Sequence, residues 1–175
     1  MKVSIKEKIN INLKKKLNEV CSYEALVGIN ERDAQKKKTY FSYSEKNGKQ
    51  LKLSKDVTLG EVAAIHEFGD PSNNIPERSF LRDTLEIKKD EIISNIKEQI
   101  ETAIKRKSNA KLAVKSISND VLNKIQERIL DGIEPQLSSE TVERKGHDLQ
   151  LVDTEQLFDS IKSSVNKKGS STWIF

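Results

Sequence analysis

The sequence predicts an α+β fold, in which a small antiparallel sheet packs with several helices, including two long antiparallel ones, and a β-hairpin protrudes. Three observations lead to this prediction. Isoleucines and leucines recur at helical spacing over 79–107 and again over 110–131, as on amphipathic helices. Short apolar runs such as 25–29 are typical of buried strands. An Asn-Gly pair at 47–48 separates two strand-like segments, which favours a tight hairpin turn.

The chain has 175 residues, and a domain of this size buries roughly two-thirds of its unfolded surface. We therefore expect a single domain over 1–175, with a hairpin arm at 39–54 and a C-terminal tail at 168–175. No run of about 18 apolar residues occurs, so no membrane-spanning helix is expected. Charged residues occupy the N-terminus, where a signal peptide is apolar. We expect a soluble protein made inside the cell, without a membrane partner.

The N-terminal segment contains two different patterns. Val3 and Ile5 alternate with polar residues, which predicts a short strand near 2–8. The following apolar residues recur at helical spacing and predict a helix near 10–21. Their positions are Ile9, Leu13, Leu17 and Val20.

A hairpin and a short helix are expected next. The segments 39–43 and 50–53 flank the Asn-Gly pair, and their partly polar faces suggest an arm outside the core. Thr58 and Glu61 have the spacing of a capping box, in which each side chain bonds to the other residue's backbone N–H. The helix that they begin is expected to stop at Gly69. The loop that follows is rich in turn residues.

Two long helices are predicted in the middle of the chain. The first extends roughly over 79–107 and is broken at Ser108 and Asn109. The second covers about 110–131, with Gly132 suited to the left-handed position after a helix. The short connection between them predicts an antiparallel pair.

The C-terminal region predicts two further short helices. Ser138 or Ser139 can cap the first, which Gly146 ends. A capping pattern at 153–156 begins the second. The residues expected to face inward on it are Leu157, Phe158 and Ile161. Two segments can each supply a strand, 164–166 and 173–175.

The charge is unevenly distributed along the chain. Residues 1–60 contain 14 basic and 7 acidic residues, whereas residues 61–175 contain 17 basic and 20 acidic ones. Lysine triplets at 14–16 and 36–38 dominate the basic part. They indicate either contact with nucleic acid or an acidic protein surface, or simply a solvated surface. The triplets lack interleaved aromatic residues that stack on bases.

Catalytic and metal-binding patterns are missing from the sequence. His66 and Glu67 are adjacent, but Cys21 completes no recognisable set of metal ligands with them. There is no Gly-x-Ser-x-Gly elbow and no glycine-rich phosphate loop. We therefore expect no enzyme activity, no metal and no cofactor, and we expect Cys21 to be buried. An enzyme that uses His66 and Glu67 is the weakest alternative.

Two sequence blocks suggest a family. The first joins Ile-His-Glu-Phe-Gly at 65–69 to Ile-Pro-Glu-Arg-Ser-Phe-Leu at 75–81. The second joins Leu-Ser-Ser-Glu-Thr at 137–141 to Leu-Val-Asp-Thr-Glu-Gln-Leu at 151–157, with a Ser-Ile pair following. In this order they resemble the bacteriophage virion-morphogenesis family of tail-completion and head–tail joining (neck) proteins.

The chain departs from that family's motifs at two positions. The family has Ile-Pro-x-Arg-Pro-Phe-Leu, and this chain has Ser79 in place of the second proline. The family also has Leu-hydrophobic-Asp-Thr-Gly-x-Leu, and Glu155 stands here in place of the glycine. A serine begins a helix as readily as a proline, and an acid is favoured in a first helical turn.

The first block also makes a prediction about packing. Gly69 ends one helix, Pro76 directs the chain towards the next, and Phe68 and Phe80 are expected to pack across the loop. Arg78 then lies near a helix start, where a cation is unfavourable without an acidic partner. Glu67 or a neighbouring subunit is expected to supply that partner.

The resemblance implies a structural virion protein without an active site. Such proteins form rings, commonly hexameric, at the neck between the connector and the tail tube, and they complete the tail for joining to the head. The implied partners are further copies of the chain, the tail-tube protein and the connector or adaptor proteins. DNA is implied only as cargo passing through the lumen. The implied location is the virion, after synthesis in the host cytoplasm.

A ring requires two different contact patches on each subunit. Exposed aromatic residues favour interfaces, so the hairpin arm is the first interface candidate and the C-terminal tail the second. Local packing against the parent subunit is the alternative for both. The interface candidates are Tyr40, Phe41 and Tyr43 in the arm, Arg78 in the first block, and Trp173, Ile174 and Phe175 in the tail. A nucleic-acid-binding module that uses both lysine triplets is the alternative function.

Overall fold

The computed structural model describes residues 5–43, 50–106, 108–137, 139, 142–143 and 155–170. The helices over this part of the chain are α1 Ile5–Cys21, α2 Glu31–Ala34, α3 Leu59–Phe68, α4 Arg82–Ile87, α5 Lys89–Lys105, α6 Ala110–Leu130 and α7 Gln156–Ser160. The strands are β1 Tyr23–Ile29, β2 Lys37–Tyr43, β3 Gln50–Thr58 and β4 Ile161–Lys167. The predicted α+β class is confirmed.

The first sheet joins the two ends of the described chain. Strands β1 and β4 pair antiparallel, with Tyr23 opposite Lys167 and Ile29 opposite Ile161. Both strands pack against α6. Ile29 and Ile161 are almost fully buried at the same end of the pair, which places the C-terminal strand in the main hydrophobic core.

That core lies between the first sheet, α3 and the second half of α6. Burial of each large apolar side chain contributes about 1.5–3 kcal/mol. The buried members are Ile29, Ala34, Val62, Ala63, Phe80, Ile125, Ile129, Ile133, Leu157 and Ile161. A smaller cluster, Val20, Ala110 and Val114, attaches α1 to the start of α6.

Helices α5 and α6 form the predicted antiparallel pair. The Glu91 carboxylate near the start of α5 lies 3.6 Å from the Lys124 ammonium in the second half of α6. At the opposite end, the Lys16 ammonium of α1 donates to the Ser108 carbonyl in the connection between the two helices (3.4 Å). Helix α1 therefore packs beside the connection between α5 and α6.

Several predicted boundaries are confirmed. Helix α3 begins with the Thr58–Glu61 capping box and ends at Gly69. Helix α6 is followed by Gly132 at φ +84°, the left-handed conformation expected after a helix. Strand β1 covers the apolar run at 25–29.

The predicted strand near 2–8 is wrong over the residues that the structure describes. Residues 5–8 belong to α1, and Val3 lies outside the described residues. Ile5 precedes Ile9 by four residues, so it also fits the helical repeat that continues to Val20. A longer helix can use that repeat, and a two-residue alternation carries little weight against it.

The predicted single helix over 79–107 is divided. Residues 79–81 precede α4, and Lys88 separates α4 from α5 with φ −97° and ψ 11°. Leu85 is one of the leucines that recur at helical spacing over 79–107, and it is 47% exposed. The bend at Lys88 changes the face that α4 turns to the core, so one helical repeat does not describe both segments.

The predicted hairpin forms a second, separate sheet. Strands β2 and β3 pair antiparallel, with Tyr40 opposite Leu53 and Tyr43 opposite Gln50. The hairpin is tied to the domain at its base, where Leu59 N–H donates to the Lys36 carbonyl (2.8 Å). The Asn-Gly pair lies outside the described residues, and the protrusion of the arm stays a prediction.

The C-terminal elements agree with the prediction in part. Residues 139, 142 and 143 are helical, whereas Ser138 and Gly146 lie outside the described residues. Helix α7 ends at Ser160, and Ile161 begins β4. The predicted position of Ile161 on the helix is therefore wrong, although Ile161 is buried as expected. None of the helices in the described ranges is long and apolar enough to span a membrane.

Candidate functional site

The first block of the family resemblance is held together by Glu67. This residue is the penultimate residue of α3 and is only 5% exposed. Its carboxylate accepts hydrogen bonds from the backbone N–H groups of Phe80, Leu81 and Arg82, each at 3.0 Å. The Ser79 hydroxyl donates to it at 2.7 Å. A side chain near the end of α3 therefore accepts hydrogen bonds from the N–H groups at the start of α4. We call this arrangement of residues 67 and 79–82 the Glu67 junction.

The Glu67 junction holds its carboxylate in the ionised form. Burial raises the pKa of Glu67, but the donated hydrogen bonds from Leu81, Arg82 and Ser79 lower it more, and the pKa lies below its ordinary value. The Arg82 guanidinium adds a charged donor 3.0 Å from the carboxylate. An ionised carboxylate also suits the positive end of the α4 dipole.

Gly69 allows the loop before α4 to pass close to the end of α3. Its φ of +75° and ψ of 169° belong to a region that is essentially restricted to glycine. A Cβ atom at this position would lie 2.9 Å from the Glu77 backbone nitrogen. The glycine of the first block is therefore required for the approach of the loop to α3.

Arg78 is buried inside the protomer and anchors a different segment. Its Nε donates to the Pro135 carbonyl (2.8 Å) and its Nη2 to the Gln136 carbonyl (3.2 Å). Burial lowers the pKa of Arg78, and the nearby Glu134 opposes that effect. Glu67 is not its partner, contrary to the first of the two expected alternatives, because Arg82 takes that place. A role for Arg78 in an interface stays a prediction.

The two phenylalanines of the first block have opposite environments. Phe80 is fully buried, whereas Phe68 is 56% exposed. Phe80 belongs to the main hydrophobic core, and its packing with Phe68 across the loop stays a prediction. The Arg82 guanidinium lies 4.7 Å from the centroid of the Phe68 ring, a cation–π distance. Glu67 turns into the junction, and its neighbour Phe68 is consequently left on the surface of α3.

The second block contains an unusual backbone conformation. Glu155 has φ +57° and ψ −6°, in the left-handed region, and makes no side-chain cap for α7. The prediction that Glu155 is a favourable acid in the first turn of the helix is therefore wrong. The residue precedes the helix, in a conformation that glycine adopts most readily. Asp153 and Thr154, the rest of the expected capping pattern, lie outside the described residues.

A buried aspartate joins α2 to the last strand. Asp33 accepts from the Lys162 ammonium of β4 at 2.6 Å and from Lys36 at 2.5 Å. The Asn30 amide adds a third bond at 2.7 Å. The hydrogen bond from Lys162 is the largest cause of a pKa of Asp33 far below the ordinary value. The sequence signal for this cluster is the Asn-x-x-Asp spacing of a helix start, but no pattern indicated Lys162.

An open cleft of about 560 Å³ lies beside that cluster. Its charged lining includes Asp33, Lys36, Lys37, Asp159 and Lys162. The lysines are already occupied, since Lys37 pairs with Asp56 at 2.6 Å and the other two pair with Asp33. The cleft therefore offers little uncompensated positive charge to an anionic ligand.

The lysine triplets are partly neutralised. Lys16 pairs with Glu19 at 2.9 Å, and Lys36 and Lys37 form the ion pairs given above. Lys14 and Lys15 are exposed on α1. The first triplet therefore retains more accessible charge than the second.

The residues considered for catalysis and metal binding do not form a cluster of ligands. Over the ranges that the structure describes, no three His, Cys, Asp or Glu side chains are placed to hold a metal ion. The His66 carbonyl accepts from the Arg78 N–H (2.7 Å), which is a structural contact. Cys21 is exposed, contrary to expectation, because Val20 occupies the buried position at the end of α1.

The aromatic interface candidates can be placed only in part. Strand β2 contains Tyr40, Phe41 and Tyr43, of which the structure describes the backbone. The tail residues Trp173, Ile174 and Phe175 lie beyond the described residues. Their interface roles stay predictions. Sequence reasoning did not single out Arg82 as a contact residue, although it lies between Glu67 and Phe68.

Comparisons with protein-family models, curated proteins and solved structures found no match to this chain.

Proposed function

We propose that this protein is a structural virion protein that completes a bacteriophage tail and joins it to the head, as a ring between the connector and the tail tube. The observation that carries the proposal is the Glu67 junction. Residues that were matched to the family as two separate stretches, 65–69 and 75–81, form a single structural unit. The Glu67 carboxylate joins them by accepting four hydrogen bonds from residues 79–82.

The conformation of Glu155 supports the proposal independently. The family motif has glycine at this position, and the backbone here has φ +57°. A left-handed residue costs roughly 1–2 kcal/mol when it carries a Cβ atom. Glycine, the residue of the family motif, is the one that this backbone favours at position 155, and this agreement supports the proposal at that single position.

The environment of Phe68 supports an assembly role for the same unit. An exposed phenylalanine on a rigid junction is costly in water and useful in a contact, since aromatic residues are enriched at protein interfaces. Glu67 and Gly69 on either side of it are fixed by hydrogen bonds and by backbone geometry. The junction therefore presents an aromatic side chain at a defined position on the surface.

The alternative of a nucleic-acid-binding module has less support. The Lys36–Lys38 triplet includes two lysines that are bound to aspartates, and counterion release requires cations that are available to phosphates. The Lys14–Lys16 triplet keeps two exposed cations. This alternative predicts DNA affinity that falls steeply with salt and is lost when Lys14 and Lys15 are replaced.

The proposed function is tested by electron microscopy of particles made without this protein. We expect separate filled heads and tails, and joining on addition of the purified protein. Normal joining in its absence would overturn the proposal, and DNA binding at low salt would then favour the alternative. His66→Ala serves as a matched control, and the proposal expects full joining with that variant. Failure of a folded His66→Ala protein would instead favour a chemical role for this residue.

A further inference from the structure

Strand β4 has one paired edge and one outer edge. Over the ranges that the structure describes, it pairs only with β1. The Lys168 N–H, just after β4, donates to the Ser22 carbonyl just before β1 (2.9 Å). Alternate residues of an antiparallel strand turn both backbone groups to the partner strand, so the even-numbered residues of β4 face β1. The odd-numbered residues turn their N–H and C=O groups away from β1, and we define the outer edge of β4 as Ser163, Val165 and Lys167.

The outer edge of β4 lacks the usual protections of an edge strand. Such strands are commonly protected by a proline, a bulge or a shielding lysine. Strand β4 contains no proline, and its register with β1 is continuous from 161 to 167. Of its two lysines, Lys162 is bound to Asp33 (2.6 Å), and Lys167 occupies the last position. The outer edge therefore keeps backbone groups with which a further strand can pair.

The turn after β4 directs the chain towards this outer edge. The Ser170 N–H donates to the Lys167 carbonyl (3.1 Å), which is one of the groups that point away from β1. Gly169, the third residue of the turn, has φ +84°. A type II turn requires such an angle at its third position, and glycine adopts it without strain. The chain therefore reverses its direction on the outer side of β4.

The segment after this turn has the composition of a strand. Residues 171–175 lie outside the described residues, and their sequence is Ser-Thr-Trp-Ile-Phe. Threonine, tryptophan, isoleucine and phenylalanine are all enriched in strands. If the register set by Ser170 and Lys167 continues, Thr172 comes opposite Val165 and Ile174 opposite Ser163. Both pairs use the backbone groups that the outer edge leaves open.

We infer that residues 171–175 pair with the outer edge of β4 as a third strand of the first sheet. In this register Trp173 comes opposite Ser164, whose partner on β1 is Leu26. Directly opposite residues share a face of a sheet, so the indole and the half-buried Leu26 side chain lie on the same face. The inference goes beyond the proposed function and does not rest on it. It takes the local-packing alternative for the tail instead of the interface role.

Hydrogen exchange of individual amides in the full chain, measured by nuclear magnetic resonance, tests the inference. We expect the Ser163 and Val165 amides to be protected by the third strand. The Ser164 and Asn166 amides face β1 and serve as internal references. The variant is Gly169→Val, because valine does not adopt this left-handed angle and a Cβ atom here meets no other atom within 4 Å.

The variant is expected to affect one edge of β4 only. Exchange at Ser163 and Val165 is expected to become about tenfold faster or more, because their pairing opens locally, whereas exchange at Ser164 and Asn166 is expected to stay the same. Lys168→Val is the matched control, since this neighbouring residue is exposed and has no positive φ. We expect the control to leave all four amides unchanged.

Fluorescence gives a second readout, because Trp173 is the single tryptophan of the chain. A side chain packed on a sheet is less accessible to a quencher than one in solvent. We therefore expect acrylamide to quench the unaltered protein and the Lys168→Val control equally, and the Gly169→Val protein more strongly. Equal quenching of all three proteins would contradict the inference.

Three results of the exchange experiment would overturn the inference. The first is unprotected exchange of Ser163 and Val165 in the unaltered protein. The second is protection that survives Gly169→Val, which would assign the outer edge to another segment. The third is protection that rises with protein concentration, which would assign it to a second copy. Normal joining of heads and tails without the protein would overturn the proposed function and leave this strand pairing standing.

Discussion

The carboxylate of Glu67 lies 3.0 Å from the backbone nitrogen of Phe80, and both residues are buried. This contact ties the end of α3 to the entrance of α4 across the connection formed by residues 69–81. Ser79 and Phe80, two of the residues that donate to this carboxylate, are almost fully buried, so the loss of their acceptor is expected to be costly.

Replacing Glu67 by alanine is expected to lower the free energy of unfolding by about 3 kcal/mol, since buried N–H groups are left without an acceptor. Chemical denaturation of both proteins measures the difference. Glu77→Ala is the matched control, because Glu77 is exposed and contacts the same Arg82 from the solvent side. A Glu67 variant that is as stable as the Glu77 variant would contradict the role of the junction.

The unfolding free energy is expected to fall in acid. The folded-state pKa of Glu67 lies below its ordinary value of 4.5, so its contribution is present above that value and is lost as the pH falls through the folded-state pKa. Denaturation curves between pH 7 and pH 3 measure this loss, and Glu67→Gln is expected to show a shallower decline. An identical pH dependence of the two proteins would contradict the assignment.

Replacing Glu155 by glycine is expected to raise the free energy of unfolding by about 1 kcal/mol. The left-handed conformation is strained for glutamate and open to glycine, and the gain is partly offset by the greater freedom of glycine in the unfolded chain. Glu155→Ala is the control, since alanine removes the same carboxylate without relieving the strain. Equal stability of the two variants would count against the observed conformation.

Replacing Arg78 by lysine is expected to lower the free energy of unfolding by about 1–2 kcal/mol. Lysine keeps the charge but lacks the planar fork that donates to the Pro135 and Gln136 carbonyls together. Thermal and chemical unfolding measure the loss. Full stability in the lysine variant would show that charge alone accounts for the contact.

Replacing Phe68 by serine is expected to separate assembly from stability. The ring is 56% exposed, so we expect a change of less than about 1 kcal/mol in the free energy of unfolding and a weaker self-association. Phe80→Ala has the opposite expectation, a loss of about 3–5 kcal/mol, because that ring is fully buried. Unchanged self-association of the Phe68→Ser protein would contradict the assembly role proposed for this side chain.

Local signals in the sequence predicted those elements that depend on local interactions. The Thr58–Glu61 capping box, the left-handed Gly132 and the apolar run of β1 each depend on neighbouring residues. The environment of Phe68 depends on where Glu67 finds its donors, twelve to fifteen residues further along the chain. The pairing of Asp33 with Lys162 depends on the register of β1 with β4. Such contacts are decided by tertiary packing, which spacing along a single sequence does not encode.

The division of charge illustrates the same difference. The uneven distribution between residues 1–60 and 61–175 was visible in the sequence. The antiparallel pairing of α5 and α6 then brings residues 82–96 and 120–134 to one end and the remaining hairpin residues to the other. Charge is therefore divided along the α5–α6 pair as well as between residues 1–60 and 61–175.

The location of this protein in an assembled particle is the most direct test of the proposed role. The measurement is electron microscopy of particles whose copy of the chain carries an N-terminal tag, labelled with gold particles that bind the tag. We predict label at the neck, between the head and the tail tube, in particles that remain infectious. Label spread over packaged DNA, or particles without label that join and infect normally, would contradict the account.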